Sequence, residues 1–188
     1  MSAPLVVAMV GTDHHPFDRL VGWLDRLAAT LGPRVEVVVQ HGHSARPEVA
    51  RGVEFVGQAE LTDLLDRAAV VVCHGGPGTI MDARRAGHVP VCVPRDPSRG
   101  EHVDGHQERF AAVVEDAGVV RLATDFSTLA DGVAAALRDS GPQADAVGIE
   151  RAAGESAERF ARQIDPVVGR RVRRVRSVRR ALLSRVTR

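Results

Sequence analysis

Aromatic residues, lysine and cysteine are scarce or absent in this chain. Tyrosine and lysine do not occur, aromatic residues make up 3% of the 188 residues, and the two cysteines are Cys73 and Cys92. So few aromatic side chains argue against the stacking surface of a protein that binds single-stranded nucleic acid. Both cysteines lie in apolar runs typical of buried strands, which favours free thiols over a disulfide framework or a zinc site.

Long apolar segments are also missing. No uninterrupted apolar run approaches the roughly 20 residues that a membrane-spanning helix needs. The N-terminus, Met1 to Pro4, has neither the basic start nor the apolar stretch of a signal peptide, so we expect a cytoplasmic chain. Hydrophobic residues nonetheless amount to 44% and charged residues to 26%, which predicts one packed domain with at most an appendage.

The net charge of +1 hides an uneven distribution. Residues 1–165 carry 16 arginines and 24 acidic residues, a charge of −8, whereas residues 166–188 carry 9 arginines and no acid, a charge of +9. We therefore predict an acidic domain over 1–165 and an arginine-rich tail over 166–188. The apolar residues of the tail recur at helical spacing, at Val168, Val172, Val175, Val178, Leu182 and Val186.

A basic amphipathic tail of this kind is typical of contact with an anionic membrane or with a partner protein. A disordered tail or a solvated helix is the alternative. Nucleic-acid binding is not expected, because the body of the chain is acidic and aromatic residues are few.

Apolar runs alternate with amphipathic segments along the chain. The predicted strands are Leu5–Val10, Val35–Val39, Val53–Val56, Ala69–Cys73, Val89–Val93 and Val119–Leu122. The predicted helices are Pro16–Leu31, Leu61–Arg67, Gly78–Ala86, His102–Asp116, Phe126–Arg138 and Gln143–Ile164. This alternation predicts an α/β fold, a Rossmann-like doubly wound parallel sheet with helices on both faces. Because ligands of such sheets bind beyond the carboxyl ends of the strands, we expect the site in the loops after Val10, Cys73 and Val93.

The loop after the fourth predicted strand is rich in glycine and opens a helix. Its glycines allow a ligand to approach the backbone, and the free N–H groups of the helix start suit a phosphate or diphosphate. The candidate contacts are His74, Gly75, Gly76, Gly78 and Thr79. Asp82, one turn further on, can accept hydrogen bonds from a ribose. The loop lacks the Gly-Lys-Ser/Thr of a P-loop, and it does not follow the first strand as a dinucleotide fingerprint does. A tight turn without a ligand is the alternative.

The loop after the fifth predicted strand concentrates polar side chains. His106 and Gln107 can hydrogen-bond the hydroxyls of a sugar, and Arg95 or Arg99 can meet an anion. A solvated loop with capping residues is the alternative for this segment.

Together the two loops resemble a known family. The motifs are His74-Gly75-Gly76-Pro77-Gly78-Thr79, Asp82, Val93-Pro94-Arg95, Gly100-Glu101-His102-Val103-Asp104-Gly105-His106-Gln107 and, near the start, Val10-Gly11-Thr12-Asp13 with Phe17-Asp18-Arg19-Leu20. Over about residues 5 to 122 they are similar to the C-terminal, donor-binding half of GT-B glycosyltransferases of family 28. They most resemble the small catalytic subunits of two-component bacterial exopolysaccharide glycosyltransferases and the catalytic subunit of the eukaryotic dolichol-linked N-acetylglucosaminyltransferase.

The resemblance implies a UDP-sugar donor, with no metal and no further cofactor. The positions that it assigns to the diphosphate are Gly11, Thr12, His74, Gly76, Gly78 and Thr79. It assigns the uridine ribose to Asp82 and the donor sugar to Gln107 with His106. Asp82 is one methylene shorter than the glutamate usual in the family, and Gly105 stands where relatives often carry asparagine or aspartate. The second departure leaves the identity of the sugar open.

The family mechanism implied is inverting transfer of a hexose-type sugar. An acceptor hydroxyl attacks the anomeric carbon and UDP leaves, with backbone amides, the helix dipole and His74 stabilising the diphosphate charge. No Asp-X-Asp motif occurs. The general base is open: His14 and His15 follow the first strand at the appropriate end of the sheet, and a partner subunit is the other source.

A GT-B enzyme places its site between two Rossmann-like domains, and this chain has the length for one. The resemblance therefore implies a heteromer with a membrane-associated subunit that binds a lipid-linked glycan acceptor, located peripherally at the inner face of the plasma membrane, in polysaccharide biosynthesis. One alternative is a sensor or regulatory module that binds a nucleotide sugar without transferring it. Another is an unrelated nucleotide-binding α/β domain.

Overall fold

Six parallel strands form one sheet within residues 3–139, the part of the chain that the computed structural model describes, the side chain of His106 excepted. The strands are β1 (Leu5–Met9), β2 (Glu36–Gln40), β3 (Arg51–Val53), β4 (Val70–His74), β5 (Val91–Val93) and β6 (Arg121–Leu122). The helices are α1 (Asp18–Leu31), α2 (Gln58–Arg67), α3 (Pro77–Arg85), α4 (His106–Asp116) and α5 (Phe126–Arg138). The strand order β3-β2-β1-β4-β5-β6 is that of a Rossmann-like fold.

Both faces of the sheet are covered, which explains why its central strands are continuous apolar runs. Alternate residues of β1 point to opposite faces. Val6 and Ala8 pack in the core formed with α1 and α5, whereas Leu5, Val7 and Met9 pack in the core formed with α2, α3 and α4. The predicted doubly wound α/β architecture is therefore confirmed.

The strand order reverses at β1. This strand pairs in parallel with β2 on one side, where Met9 faces Gln40, and with β4 on the other, where Met9 faces Cys73. The helix that follows β1 packs on one face of the sheet, and the helix that follows β4 packs on the opposite face. The loops that leave β1 and β4 therefore diverge, and a crevice opens between them at the carboxyl ends of the strands.

The order and type of the predicted elements agree with the structure as far as α5, and the differences lie at element ends. Helix α4 begins at His106 instead of His102, because Gly100 adopts a left-handed conformation (φ 72°) and the chain bends through residues 101–105. Strand β3 lies a few residues earlier than predicted, where it pairs with β2 from Val38 to Gln40.

Two predictions concern residues outside those that the structure describes. They are the helix over 143–164 and the arginine-rich tail over 166–188, so the boundary at residue 165 stays a prediction. Within the described part of the chain, no helix combines the length and the apolar character needed to cross a bilayer.

Candidate functional site

The crevice between the loops that follow β1 and β4 has a volume of about 410 Å³. It brings together most of the residues that the sequence assigns to a diphosphate and a sugar. The predicted residues that line it are Gly11, Thr12, His74, Gly76, Gly78, Thr79 and Gln107. The residues that sequence reasoning missed are Met9, Asp13, Gln40, Val56, Leu61 and Pro77.

The ring of His74 lies between two glycines, and this packing explains why both positions lack a side chain. Gly11 has φ 102°, and a Cβ atom there would come within 3.0 Å of the ring. A Cβ atom on Gly76 would lie 2.3 Å from His74 Nε2, a distance that no real contact allows. His74 and the two glycines therefore form one packed unit at the floor of the crevice.

His74 is neutral near pH 7. Burial and the neighbouring charge of Arg95 lower the pKa of its imidazole from 6.5 to about 4. Its Nδ1 atom lies 3.4 Å from the carbonyl oxygen of Met9, which can only accept, so Nδ1 carries the proton and Nε2 keeps its lone pair. The free protein therefore offers no imidazolium at this position, and the positive field of the crevice comes from backbone groups.

Acidification is expected to destabilise the protein through His74. The unfolded chain, with a histidine pKa near 6.5, binds more protons than the folded chain between that pH and about 4, so the free energy of unfolding rises with pH across this window. The contribution, about 3 kcal/mol, is complete above the unfolded pKa and is lost as the pH falls toward the folded one. Urea titrations at several pH values should give a shallower dependence for His74→Gln, and equal slopes would contradict this role for His74.

The backbone groups that face the crevice belong to the first turn of α3. Gly76 precedes the helix and Pro77, its first residue, has no N–H group. The N–H of Ile80 donates to the Gly76 carbonyl, whereas the N–H groups of Gly78 and Thr79 precede the first bonds of the helix. With the positive end of the helix dipole, they form an anion site.

Gln107 lines the crevice and has a buried acceptor without a partner. Its side chain is buried, 7% exposed, and Oε1 has no hydrogen-bond partner among the described residues. Gly75 makes room for it, since a Cβ atom there would lie 3.2 Å from Gln107 Cβ. A buried acceptor without a donor is costly, so Gln107 is a candidate for contact with a ligand that carries O–H or N–H groups.

The loop after β1 carries a hydrogen-bonded pair at the rim of the crevice. Asp13 Oδ1 accepts a hydrogen bond from the backbone N–H of His15 at 2.8 Å and lies 2.6 Å from His15 Nδ1. The same oxygen is 3.7 Å from His14 Nδ1. The bond from the His15 backbone is the main reason why the pKa of Asp13 is lowered to about 2.

The same three side chains also offer one oxygen and two nitrogens within 4.8 Å of one another, a set that could hold a metal ion. Two ligands of one tetrahedral zinc ion stand about 3.3 Å apart. Asp13 Oδ1 and His15 Nδ1 are closer than that. The observed geometry is therefore that of a hydrogen-bonded pair.

Comparison with known proteins identifies the family of the chain. The model of the glycosyltransferase family 28 C-terminal domain matches residues 5–164. The chain belongs to glycosyltransferase family 28. It is 31% identical over 125 residues to the UDP-N-acetylglucosamine--N-acetylmuramyl-(pentapeptide) pyrophosphoryl-undecaprenol N-acetylglucosamine transferase of Yersinia pseudotuberculosis serotype O:1b (strain IP 31758). That match takes in 58% of this chain and 34% of the relative, so the chain spans about a third of the relative's length.

Solved structures agree with the family on the fold. The glycotransferase of kitacinnamycin superposes with a TM-score of 0.60 at 20% identity, over 86% of this chain and 43% of that one. The spinosyn forosaminyltransferase SpnP gives a TM-score of 0.58 at 20% identity, over 87% of this chain and 44% of that one. Each likeness confirms the Rossmann-like domain of a GT-B glycosyltransferase.

Asp82, the position that the family 28 resemblance assigns to a ribose, does not line the crevice with His74. It lies in an adjoining depression between α2 and α3, where it pairs with Arg85 at 3.3 Å. Leu61 lines the crevice and its neighbour in α2, Thr62, lines the depression, so α2 contributes to both spaces. A ligand that reaches both must extend along this helix.

Arg95, predicted to meet an anion, is not at the surface of this family 28 domain. Its side chain is 1% exposed, and burial lowers its pKa. One terminal nitrogen donates to the carbonyl oxygens of His15 (2.6 Å) and Glu101 (2.9 Å), and the other donates to that of Val10 (3.0 Å). The structure therefore corrects the prediction: Arg95 joins the loops that follow β1 and β5 and leaves no terminal nitrogen toward the crevice.

A buried ion pair fastens the same loop to α1. Arg19 donates from Nε to Glu101 Oε1 and from a terminal nitrogen to Oε2, both at 2.8 Å. Glu101 Oε2 also accepts from the backbone N–H of Asp96 at 2.8 Å. The sequence analysis placed Arg19 and Glu101 in the family 28 motifs but gave them no role. Their short distance in the folded chain identifies them as the ion pair that joins this loop to α1.

Two further residues differ in how the sequence treated them: His106 was predicted to contact the sugar, and Gln40 was not predicted at all. His106 is the first residue of α4, and its side chain lies outside the described part of the structure. Gln40 ends β2 and lines the crevice, donating from Nε2 to the carbonyls of Gly11 (3.3 Å) and Glu54 (3.1 Å). A polar residue at the end of an apolar strand is the sequence signal from which Gln40 could have been predicted.

Proposed function

We propose that this chain is the donor-binding, catalytic part of a glycosyltransferase that moves a hexose-type sugar from a UDP-sugar to a lipid-linked glycan acceptor. The observation that carries the proposal is the crevice itself. There the first turn of α3 and the side chain of Gln107, whose Oε1 has no hydrogen-bond partner among the described residues, line one space beside His74. A site that offers N–H donors for an anion and an acceptor for hydroxyls suits a nucleotide sugar.

The crevice has a polar end and an apolar border, which orient such a donor. The diphosphate fits against Gly78 and Thr79, where the N–H groups and the helix dipole meet. The base packs against the apolar side chains of Val56 and Leu61. The ribose then points along α2 toward the depression that holds Asp82, and the sugar is left beside Gln107.

The same groups favour departure of the nucleoside diphosphate. As the bond between the anomeric carbon and the β-phosphate oxygen breaks, negative charge grows on the diphosphate. The N–H groups of Gly78 and Thr79 already point at that position, so no reorganisation is needed in the transition state. His74 is neutral in the free protein and can add a donor only after it takes up a proton, which an anionic ligand promotes.

The acceptor side requires residues beyond those described. The match spans 34% of the Yersinia relative, whose printed name includes an undecaprenol-linked substrate, and 43% of the kitacinnamycin structure. We propose that a separate, membrane-associated subunit supplies the acceptor-binding face, and that the complex works at the inner face of the plasma membrane in polysaccharide synthesis.

The arginine-rich tail over 166–188 would strengthen contact with anionic lipid by about 1 kcal/mol per arginine near the surface. Flotation with anionic vesicles tests this, because a chain shortened after Asp165 that floats as well as the full chain would contradict it.

Calorimetry with nucleotides tests the central proposal. We expect UDP to bind the full chain with a dissociation constant at least about tenfold lower than that of UMP, since one further phosphate meets the helix terminus. ATP and NAD serve as controls for an unrelated nucleotide-binding domain. Absence of heat with UDP, or binding that favours ATP or NAD, would reject a UDP-sugar donor.

A non-catalytic nucleotide-sugar sensor would pass the same binding test. The two functions separate when UDP release is followed in the presence of the second subunit and its acceptor. Turnover supports the transferase, whereas tight UDP-sugar binding without any release of UDP supports the sensor.

A further inference from the structure

We propose that His15, oriented by Asp13, is the general base that removes the proton from the attacking hydroxyl. The inference rests on the proposed function, because it supplies the base for that transfer. Sequence reasoning leaves His14, His15 and a partner subunit as candidates and favours the partner. The geometry of the loop after β1 distinguishes among them.

The hydrogen bond between Asp13 and His15 fixes which ring nitrogen carries a proton. Asp13 Oδ1 lies 2.6 Å from His15 Nδ1 and also accepts from the His15 backbone N–H. An ionised carboxylate can only accept, so Nδ1 must be the donor in this pair. Nε2 of the neutral ring is then left with its lone pair, which is the form that a general base requires.

The ring of His15 is held from several sides. The main chain of His15 is fixed by Arg95, which donates to its carbonyl oxygen at 2.6 Å. The rings of His14 and His102 lie at centroid distances of 4.0 and 6.0 Å. Asp13, His14, His102 and Arg95 are thus the titratable or charged groups around His15, and 24% of its side chain remains exposed to reach a substrate.

His14 lacks these restraints. Its side chain is 79% exposed, and its Nδ1 atom stands 3.7 Å from Asp13, beyond hydrogen-bonding distance. An exposed histidine without an orienting partner populates several rotamers and both tautomers. Asp13 itself lines the crevice. Since His15 is bonded to Asp13, it lies next to a residue that lines the proposed donor site.

The reaction balances without any further reagent. His15 Nε2 takes the proton of the acceptor hydroxyl while the acceptor oxygen bonds to the anomeric carbon. The bond from that carbon to the β-phosphate oxygen breaks, and its electron pair leaves with UDP. The imidazolium, stabilised by the Asp13 carboxylate, then releases its proton to water. Asp13 is a positioning residue here, since it acts through His15.

The first test is independent of catalysis. Long-range ¹H–¹⁵N correlation spectra of the full chain report the tautomer of each histidine near neutral pH. We expect the neutral ring of His15 to carry its proton on Nδ1, and Asp13→Asn to shift it to a mixture of tautomers. A proton on Nε2 in the neutral ring of the wild-type protein would overturn the assignment whether or not the protein is a transferase.

The second test follows UDP release from UDP-glucose, UDP-galactose and UDP-N-acetylglucosamine by the full chain together with the second subunit and its acceptor. His15→Gln should lower kcat roughly 100-fold or more. Calorimetry should give an unchanged dissociation constant for UDP. Exposed His43, which makes an edge contact with Phe55, provides the matched control, and His43→Gln should behave as the wild type.

The outcomes separate the two proposals. Failure of wild-type protein to bind UDP removes the proposed function, and the tautomer result then stands by itself. Binding of UDP with undiminished turnover in His15→Gln overturns the base, as does a larger loss in His14→Gln. Wild-type protein that binds UDP but releases none in the presence of the second subunit and its acceptor also overturns it, and that outcome supports the sensor.

Discussion

Replacing Gly78 by aspartate will abolish measurable UDP binding and leave the fold intact. A Cβ atom on Gly78 meets nothing within 4 Å, so the new side chain has room. Its position, second in α3, is one where an acidic residue favours a helix through the macrodipole. The carboxylate would occupy the N–H groups that the diphosphate needs and would repel its charge.

The expected size of this effect follows from Coulomb's law. A carboxylate about 5 Å from one phosphate charge, at an effective dielectric constant of about 20, costs about 3 kcal/mol. That energy weakens binding by roughly 100-fold or more. The melting temperature of Gly78→Asp should remain at or above that of the wild type.

A matched control places the same charge on a different helix. Ser127 is exposed and is the second residue of α5, far along the chain from the crevice. Ser127→Asp should bind UDP as the wild type does. Equal UDP affinities for Gly78→Asp and Ser127→Asp would place the nucleotide elsewhere on the protein.

Removing the carboxylate of Glu101 will cause a large loss of stability. Glu101→Ala leaves the guanidinium of Arg19 and the N–H of Asp96 without their partner in a site where the Glu101 side chain is only 6% exposed. Breaking one side of a buried pair costs about 3 kcal/mol. The expected drop in melting temperature is roughly 10 °C.

An exposed pair on α2 provides the comparison. Arg67 and Asp63 lie four residues apart, 3.3 Å from each other, with more than half of each side chain exposed. Asp63→Ala should change stability by less than about 0.5 kcal/mol, since solvent screens such a pair.

The double variant Arg19→Met with Glu101→Ala should recover part of the loss, because no buried charge is left unpaired. Denaturant titrations of the single and double variants give the coupling energy directly. A double variant as unstable as the sum of the single ones would mean that the two side chains act independently, contrary to the bidentate contact at 2.8 Å.

The fold could be predicted from the sequence because its signals are local. Runs such as Leu5–Met9 and Val70–Cys73 are apolar throughout, as strands covered on both faces must be, and a glycine follows the ends of α1, α3 and α4 within two residues. The general position of the site followed from the topology, since loops at the carboxyl ends of parallel strands converge.

The roles of individual side chains in those loops could not be predicted in the same way. Arg95 has the charge and the position expected of an anion contact. Its guanidinium instead donates to the carbonyl groups of Val10 and His15, which lie about 80 residues away in the chain. The pairing of Asp13 with His15 likewise depends on a backbone bend that places Oδ1 against Nδ1. Asp82 was assigned to a ribose by its spacing from the glycine-rich loop and by the family 28 resemblance, and neither reveals that it lines a depression between α2 and α3.

The guanidinium of Arg95 has a consequence for engineering. Because one side chain closes the segment after β5 onto the segment after β1, neither segment has an independent shape. A graft of residues 94–107 from a homologue, made to change which sugar is accepted, would arrive without the carbonyl groups that its arginine expects. In such a chimera both segments, residues 10–19 and residues 94–107, should be exchanged together.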